Sequence, residues 1–343
     1  MSGQLKTINL ALQGGGSHGA YTWGVLDALL EDGRLHVEAV SGASAGAMNA
    51  VVMADGWLDA VDEKRDPRDG ARTALRDFWD AIGQQPSAFA LSAAFGTAHS
   101  HSLAGNPIFL WLDLMSRLFS PYQLNPLNVN PLRTILHNSV DFERLRARFP
   151  FKLFVCATTV RTSRARIFRE HEIDLERVLA SACLPMTFQA VPVDGEFYWD
   201  GGYVGNPALW PLFYATSARD LVLVPINPLR RDDVPDTAQE IIDRVTEISF
   251  NSSLFQELRA IDFVQRLLRD RQLDPARYRT VYMHQIAAED TLRGYDASSK
   301  YNTDPEFLHE LFTLGRATAQ EWLAANFEYI GHASSVDIAA TFL

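Results

Sequence analysis

Residues 7–19, TINLALQGGGSHG, and residues 36–46, HVEAVSGASAG, decide the fold between them. Thr7–Leu12 is a short apolar run that stops at three glycines, the pattern of a buried strand. Beyond the glycines, Tyr21, Val25, Leu26 and Leu29 recur at helical spacing, which predicts a helix over 18–31 ended by Asp32-Gly33. A second strand is expected over 36–41. A second helix is expected over 45–54, closed by Asp55-Gly56. A chain that opens β-α-β-α builds parallel strands with helices on both faces, because a parallel crossover must pass over the sheet. The expected fold is therefore α/β, a three-layer sandwich about a mostly parallel sheet.

Further strands are expected over 151–160, 220–226 and 279–286, and a hairpin over 189–199 about Asp194-Gly195. A helix over 174–183 stops before Leu184-Pro185, since the residue before proline avoids the helical region. One or two amphipathic helices are expected over 237–270, with Ile241, Val245, Ile248, Leu258, Ile261 and Leu268 as core positions, and a last helix over 305–325. The organisation that follows is a catalytic unit over 1–230 and a mainly helical C-terminal extension over 231–343 packed on it. Residues 86–131 stand apart, rich in proline and aromatics (Phe89, Phe95, Phe109, Trp111, Phe119, Tyr122) and poor in charge and periodicity. They fit either an irregular packed insertion or a lid-like apolar wall over an acyl-chain site.

Composition narrows the partners. The 343 residues carry a net charge of −11, which repels nucleic acid and anionic lipid heads at long range, so no nucleic-acid partner is expected. Cys156 and Cys183 both sit in apolar stretches and read as buried free thiols, not as a disulfide or metal framework. Neither a leader-like N-terminus nor a run long enough to span a bilayer is present, so a cytoplasmic location is expected, with peripheral contact at a lipid surface as the second option. Arg161, Arg164, Arg166 and Arg169 form a local basic run that fits a solvated hairpin edge or, alternatively, a docking patch for lipid heads.

The two glycine turns carry the chemistry. Gly42-Ala43-Ser44-Ala45-Gly46 is G-x-S-x-G between a strand and a helix, where a sharp turn exposes the serine oxygen and only small neighbours fit. Gly14, Gly16 and Gly19 match the dinucleotide pattern G-x-G-x-x-G, but the second strand ends in Ala39-Val40-Ser41-Gly42 with no carboxylate for a ribose. The same backbone geometry at a helix N-terminus can instead stabilise the oxyanion of acyl transfer. A serine nucleophile needs a base. Asp200, followed by Gly201-Gly202, is the acid candidate. Of the histidines beyond it, His284 reads as a packed core residue, His309 as a surface one, and none, His332 included, sits in a motif.

Taken together, Gly14–Gly19, Gly42–Gly46 and Asp200-Gly201-Gly202 resemble the patatin-like phospholipase family in order and spacing, over about residues 5–226. Ser181-Ala182-Cys183-Leu184-Pro185, and Asp200–Tyr203 followed by Asn206-Pro207, look like its bacterial branch. The resemblance implies a Ser–Asp dyad without histidine. Ser44 is then the nucleophile, Asp200 polarises its hydroxyl, and amides of Gly14, Gly15 and Gly16, chiefly the last two, form the oxyanion hole. It implies an acyl-lipid substrate, an acyl-enzyme intermediate, and no metal or organic cofactor. The alternatives are an esterase or thioesterase for a non-membrane acyl substrate, a nucleotide-binding protein and an inactive scaffold. In one respect the chain departs from the family: His18 stands where arginine or lysine is usual, and fits either a helix cap or a catalytic role.

Overall fold

Strand β1 (Lys6–Leu12) lies inside an eight-stranded sheet and pairs in parallel with β2 (Leu35–Ala43) on one side and β7 (Asp220–Val224) on the other. The structure is a computed structural model that describes residues 5–85, 101–103, 107–231, 234–274 and 277–343. β3 (Lys152–Thr159) extends the parallel set beyond β2, and β8 (Tyr282–Gln285) extends it beyond β7. Three antiparallel strands complete the sheet. β4 (Ala165–Arg169) and β6 (Glu196–Asp200) both pair with β3, and β5 (Val191–Val193) pairs with β6. The strand order is β5-β6-β3-β2-β1-β7-β8, with β4 on β3. Asp194 and Gly195, at φ 51° and 82°, make the turn between β5 and β6 that a tight hairpin requires.

Strand alternation divides the core into two layers. Ile8, Leu10, Leu12, Val222 and Val224 belong to one apolar cluster, with α1 (Gly19–Asp32), α2 (Ala45–Asp62), α3 (Pro67–Gly83) and, near the C-terminus, α7 (Pro305–Asn326). Ala11, Ala39, Leu221, Leu223 and Met283 belong to the other, with α6 (Ala238–Arg269) and residues 208–212. Between α3 and α6 the chain adds α4 (Pro107–Leu118) and α5 (Leu175–Ser181). The result is the expected α/β/α sandwich with a helical C-terminal region. That region also gives the sheet its strand β8, so residues 231–343 are continuous with the core.

Three expectations change. The second helix does not stop at Asp55-Gly56 but runs on to Asp62. Gly56 marks a helix crossing instead: a Cβ there would lie 2.4 Å from the Ala74 Cβ and 2.7 Å from the Gly70 carbonyl on α3. Residues 237–270 form a single helix whose second half is core, with Leu258 and Ile261 buried, whereas Ile241, Val245 and Ile248 are exposed and Leu268 is half-buried. The apolar partners of α6, Tyr203 and the Ile338–Phe342 helix, gather on its residues from Phe250 onward, which leaves the apolar face of the earlier turns uncovered. Within 86–131, residues 107–118 are helical, with Trp111, Leu114 and Leu118 exposed along one side. Phe89 and Phe95 lie outside the described residues, as does the side chain of Phe109.

Candidate active site

β2 ends at Ala43 and α2 begins at Ala45, so Ser44 alone makes the turn, at φ 52° and ψ −123°. A positive φ is strained for a residue with a side chain, by about 1–3 kcal/mol, and persists only where the surroundings hold it. Here the Ser44 N–H donates to the Ser181 Oγ at 3.0 Å, and that hydroxyl donates to the Cys156 carbonyl at 2.6 Å. Ser181 closes α5 and Cys156 lies on β3, so two elements brace the elbow. The glycine loop presses on it from the other side. A Cβ on Gly14 would fall 2.7 Å from the Ser44 Cβ, so this approach requires glycine.

Sheet pairing brings the acid to the serine. Ala43 pairs with Cys156 on β3, and the next β3 residue, Ala157, pairs with Asp200 at the end of β6. Asp200 is fully buried. Its N–H donates to the Cys183 carbonyl at 2.8 Å, its carbonyl accepts from Thr158 Oγ1 at 2.6 Å, and its Oδ1 accepts the Gly202 N–H at 2.7 Å. Among the described residues Oδ2 has no hydrogen bond of good geometry, although the Ser44 hydroxyl favours the ionised carboxylate. Burial outweighs both the Gly202 amide and Ser44 and pushes the Asp200 pKa up to about 7. A buried carboxyl with one unengaged oxygen beside a serine hydroxyl can take a proton near neutrality.

The glycine loop is held by amide side chains. The Gly14 N–H donates to Asn206 Oδ1 at 2.7 Å, while the Gly14 carbonyl accepts from Asn206 Nδ2 at 3.2 Å and Asn227 Nδ2 at 2.7 Å. Gln13 Oε1 accepts the N–H groups of Ile226 and Asn227, both at 2.8 Å, and its Nε2 donates to Asn251 at 2.9 Å. The Gly14 N–H is thus already engaged. Among the described residues the Gly15 and Gly16 N–H groups have no such acceptor, and they precede the turn Gly16–His18 that leads into α1. Sequence reasoning missed Gln13, Ser181, Asn206, Asn227 and Asn251 as parts of this scaffold. The runs around Ser181 and Asn206-Pro207 were the only sequence signal for any of them.

His18 is buried, and no side-chain cap is made at the start of α1. Its Nε2 lies 2.8 Å from Ser299 Oγ, which itself donates to the Asp296 carbonyl, so Nε2 carries the proton. Burial, with Lys300 nearby, lowers its pKa to about 3, and the ring is neutral. His284, buried as expected, lies three strands from Ser44 in a row of its own. Its Nε2 meets Asp220 at 3.0 Å and its Nδ1 meets Ser335 at 2.9 Å, while Asp220 also accepts the Gly331 N–H at 2.8 Å. This Ser–His–Asp row fastens the C-terminal residues to the sheet. His309 is exposed on α7. In the basic run, Arg161 pairs with Glu196 at 3.3 Å and Arg166 pairs with Glu172. Cys156 and Cys183 are buried free thiols. Among the described residues, no helix is long and apolar enough to cross a membrane.

The model of the patatin-like phospholipase family matches residues 10–213, which hold Ser44, Asp200 and the glycine loop. A search of curated proteins finds no match. Among solved structures, the chain is similar to VipD from Legionella pneumophila at 18% identity and a TM-score of 0.42, covering 94% of this chain and 67% of that one. It is similar to the type III effector protein ExoU at 16% identity and a TM-score of 0.38, covering 92% of this chain and 52% of that one. ExoU in complex with SpcU, from the type III secretion system of Pseudomonas aeruginosa, matches at 15% identity and a TM-score of 0.32, covering 92% and 53%. The chain spans about half the length of ExoU.

Proposed function

The chain belongs to the patatin-like phospholipase family, and from that premise we propose that it hydrolyses acyl esters of lipids with a Ser44–Asp200 dyad. The observation that carries the reading is the buried Asp200 carboxyl, with one oxygen unengaged, beside a serine held at a positive φ. Ser44 Oγ attacks the ester carbonyl carbon as its proton passes to Asp200. Negative charge builds on the carbonyl oxygen, where the N–H groups of Gly15 and Gly16 receive it. Gly14 helps by holding the loop, since its own N–H is given to Asn206. The C–O bond to the alcohol breaks, the alcohol leaves with the proton from Asp200, and an acyl-enzyme remains. Water then attacks the acyl carbon as its proton goes to Asp200, the bond from that carbon to Ser44 Oγ breaks, and Oγ takes the proton back from Asp200 as the fatty acid departs. His18 and His284 take no step: His18 is neutral and bonded to Ser299, and His284 is bonded to Asp220 and Ser335.

Two uncovered apolar faces support a lipid substrate reached at a surface. One is Trp111, Leu114 and Leu118 on α4. The segment after α4 is tied to the chain that leads into β5, as the Ala190 N–H donates to the Tyr122 hydroxyl and Gln189 donates to the Asn125 carbonyl. The other is Ile241, Val245 and Ile248 on α6, whose Phe250 ring stacks edge-on to Tyr203 at 4.9 Å, next to Gly202.

A fluorophosphonate probe tests the dyad. Labelling is expected in the wild type, lost in Ser44→Ala and strongly slowed in Asp200→Asn, with His284→Ala still labelled. Labelling that survives Ser44→Ala refutes the assignment.

A further inference from the structure

The glycine loop is gripped from behind by the turn Ala297–Tyr301, which lies beyond the residues matched by the family model. Gly16 has φ 60°, and a Cβ there would fall 2.3 Å from the Lys300 carbonyl, so loop and turn meet backbone to backbone. The Lys300 side chain turns inward, and its Nζ donates to Asn227 Oδ1 at 2.7 Å. The Nδ2 of the same amide donates to the Gly14 carbonyl at 2.7 Å. That carbonyl and the Gly15 N–H belong to one peptide unit. An ammonium, a side-chain amide and a backbone peptide are therefore joined in series, and the last group in the series is the Gly15 N–H.

A hydrogen bond accepted at an amide oxygen draws electron density from its nitrogen and makes the N–H a stronger donor, by about 10–30% per bond in a chain. Two such steps in line, the first driven by a cation, act on the group that faces the oxyanion. The loop's own titratable side chain cannot supply this charge, because His18 is neutral. Arg231 is turned elsewhere, to Glu247 at 2.6 Å and to the carbonyls of Arg293 and Tyr295. Burial, the largest influence, holds the Lys300 pKa below the usual lysine value with help from Arg231, while Glu247 and Asp243 favour the charged form.

We propose that Lys300 is a positioning residue for acyl transfer, polarising the Gly15 N–H through Asn227. The inference rests on the acyl hydrolase reading above and deepens it: a residue of the C-terminal region completes the oxyanion hole of the catalytic unit.

The test is a kinetic cycle on a chromogenic acyl ester with wild type, Ser44→Ala, Lys300→Met, Asn227→Ala and the Lys300/Asn227 double variant, each checked by thermal melting. Lys300→Met keeps the aliphatic stem and deletes the charge. Its kcat is expected to fall about tenfold with KM nearly unchanged. The double variant is expected to match Asn227→Ala, because the lysine acts through the amide. Wild-type kcat in Lys300→Met, or independent losses that multiply in the double variant, overturn the relay while leaving Ser44-dependent turnover intact. Absence of Ser44-dependent turnover in the wild type overturns the hydrolase reading as well. Should Lys300→Met fail to fold, Lys300→Gln and Asn227→Ala carry the test, and full kcat in either overturns the proposal.

Discussion

Asn206 holds both backbone groups of Gly14: its Oδ1 accepts the N–H at 2.7 Å and its Nδ2 donates to the carbonyl at 3.2 Å. One buried side chain thus fixes the peptide planes on either side of Gly14, and with them the direction in which Gly15 presents its N–H group. Asn206→Ala leaves the Gly14 N–H buried without a partner, which costs about 1–3 kcal/mol. Urea melts are expected to show that loss. If the loop is the oxyanion hole proposed above, turnover is expected to fall further than stability explains, by about a hundredfold, since small misplacements of oxyanion donors are costly. Full kcat in a folded Asn206→Ala protein would mean that the loop keeps its direction by other contacts.

The pH dependence follows from Asp200. Burial raises its pKa from 3.8 to about 7, and the proposed dyad needs the ionised form to take the serine proton. The kcat/KM profile is therefore expected to rise with pH and reach half its plateau near 7. Stability runs the other way. Between 3.8 and about 7 the folded state holds a proton that the unfolded chain has lost, so stability present at low pH is lost as pH rises through this window. Each pKa unit is about 1.4 kcal/mol, so the deficit at pH 8 is about 4 kcal/mol. Glu257, pushed up to about 7 by burial, contributes a loss in the same direction. Melting of Asp200→Asn against wild type at pH 5 and pH 8 isolates the Asp200 share: the variant should be inactive yet gain stability over wild type at the higher pH. An ascending limb centred near pH 4 would remove Asp200 as the buried base.

Gly56 offers a test of packing away from the chemistry. A methyl group there would sit 2.4 Å from the Ala74 Cβ, inside van der Waals contact, so α2 and α3 would have to separate. Gly56→Ala is expected to lower stability by about 1–3 kcal/mol, the usual range for overpacking. Adding Ala74→Gly should restore part of it, because the nearest clash is then gone. An unchanged melting curve for Gly56→Ala would show that the crossing has room.

These residues also show what a sequence can and cannot reveal. The elbow at Ser44 was legible because strand, glycine turn and helix are consecutive, so the local pattern contains the whole arrangement. The Asp194-Gly195 hairpin was legible for the same reason. Asp55-Gly56 carried a helix-stop signature, yet the glycine answers to α3, which a local pattern does not contain. Asn206 and Asn227 reach Gly14 across 192 and 213 positions of chain, and Lys300 reaches Asn227 across 73, as single polar residues with no periodicity, and tertiary structure alone assembles them. For α6 the sequence showed an amphipathic helix; which stretch of its apolar stripe is covered depends on where Tyr203 and the last helix lie.

That stripe leads to the last prediction. Ile241, Val245 and Ile248 recur at i, i+4 and i+7 and are 46, 57 and 54% exposed, so a continuous apolar stripe faces outward. Fully burying a side chain of this kind is worth about 1.5–3 kcal/mol, so three of them entering a lipid surface together would bind the protein there without a net positive charge. Replacing all three with glutamine keeps the helix propensity and removes the apolar surface. If the face is free in the folded protein, the melting temperature should barely move, since exposed substitutions usually cost under about 0.5 kcal/mol each. Co-sedimentation with neutral phosphatidylcholine vesicles should fall at least tenfold, and the ratio of vesicle turnover to soluble-ester turnover should fall with it. A large loss of stability with vesicle binding retained would make these residues core after all, and would leave Trp111, Leu114 and Leu118 on α4 to carry the contact alone.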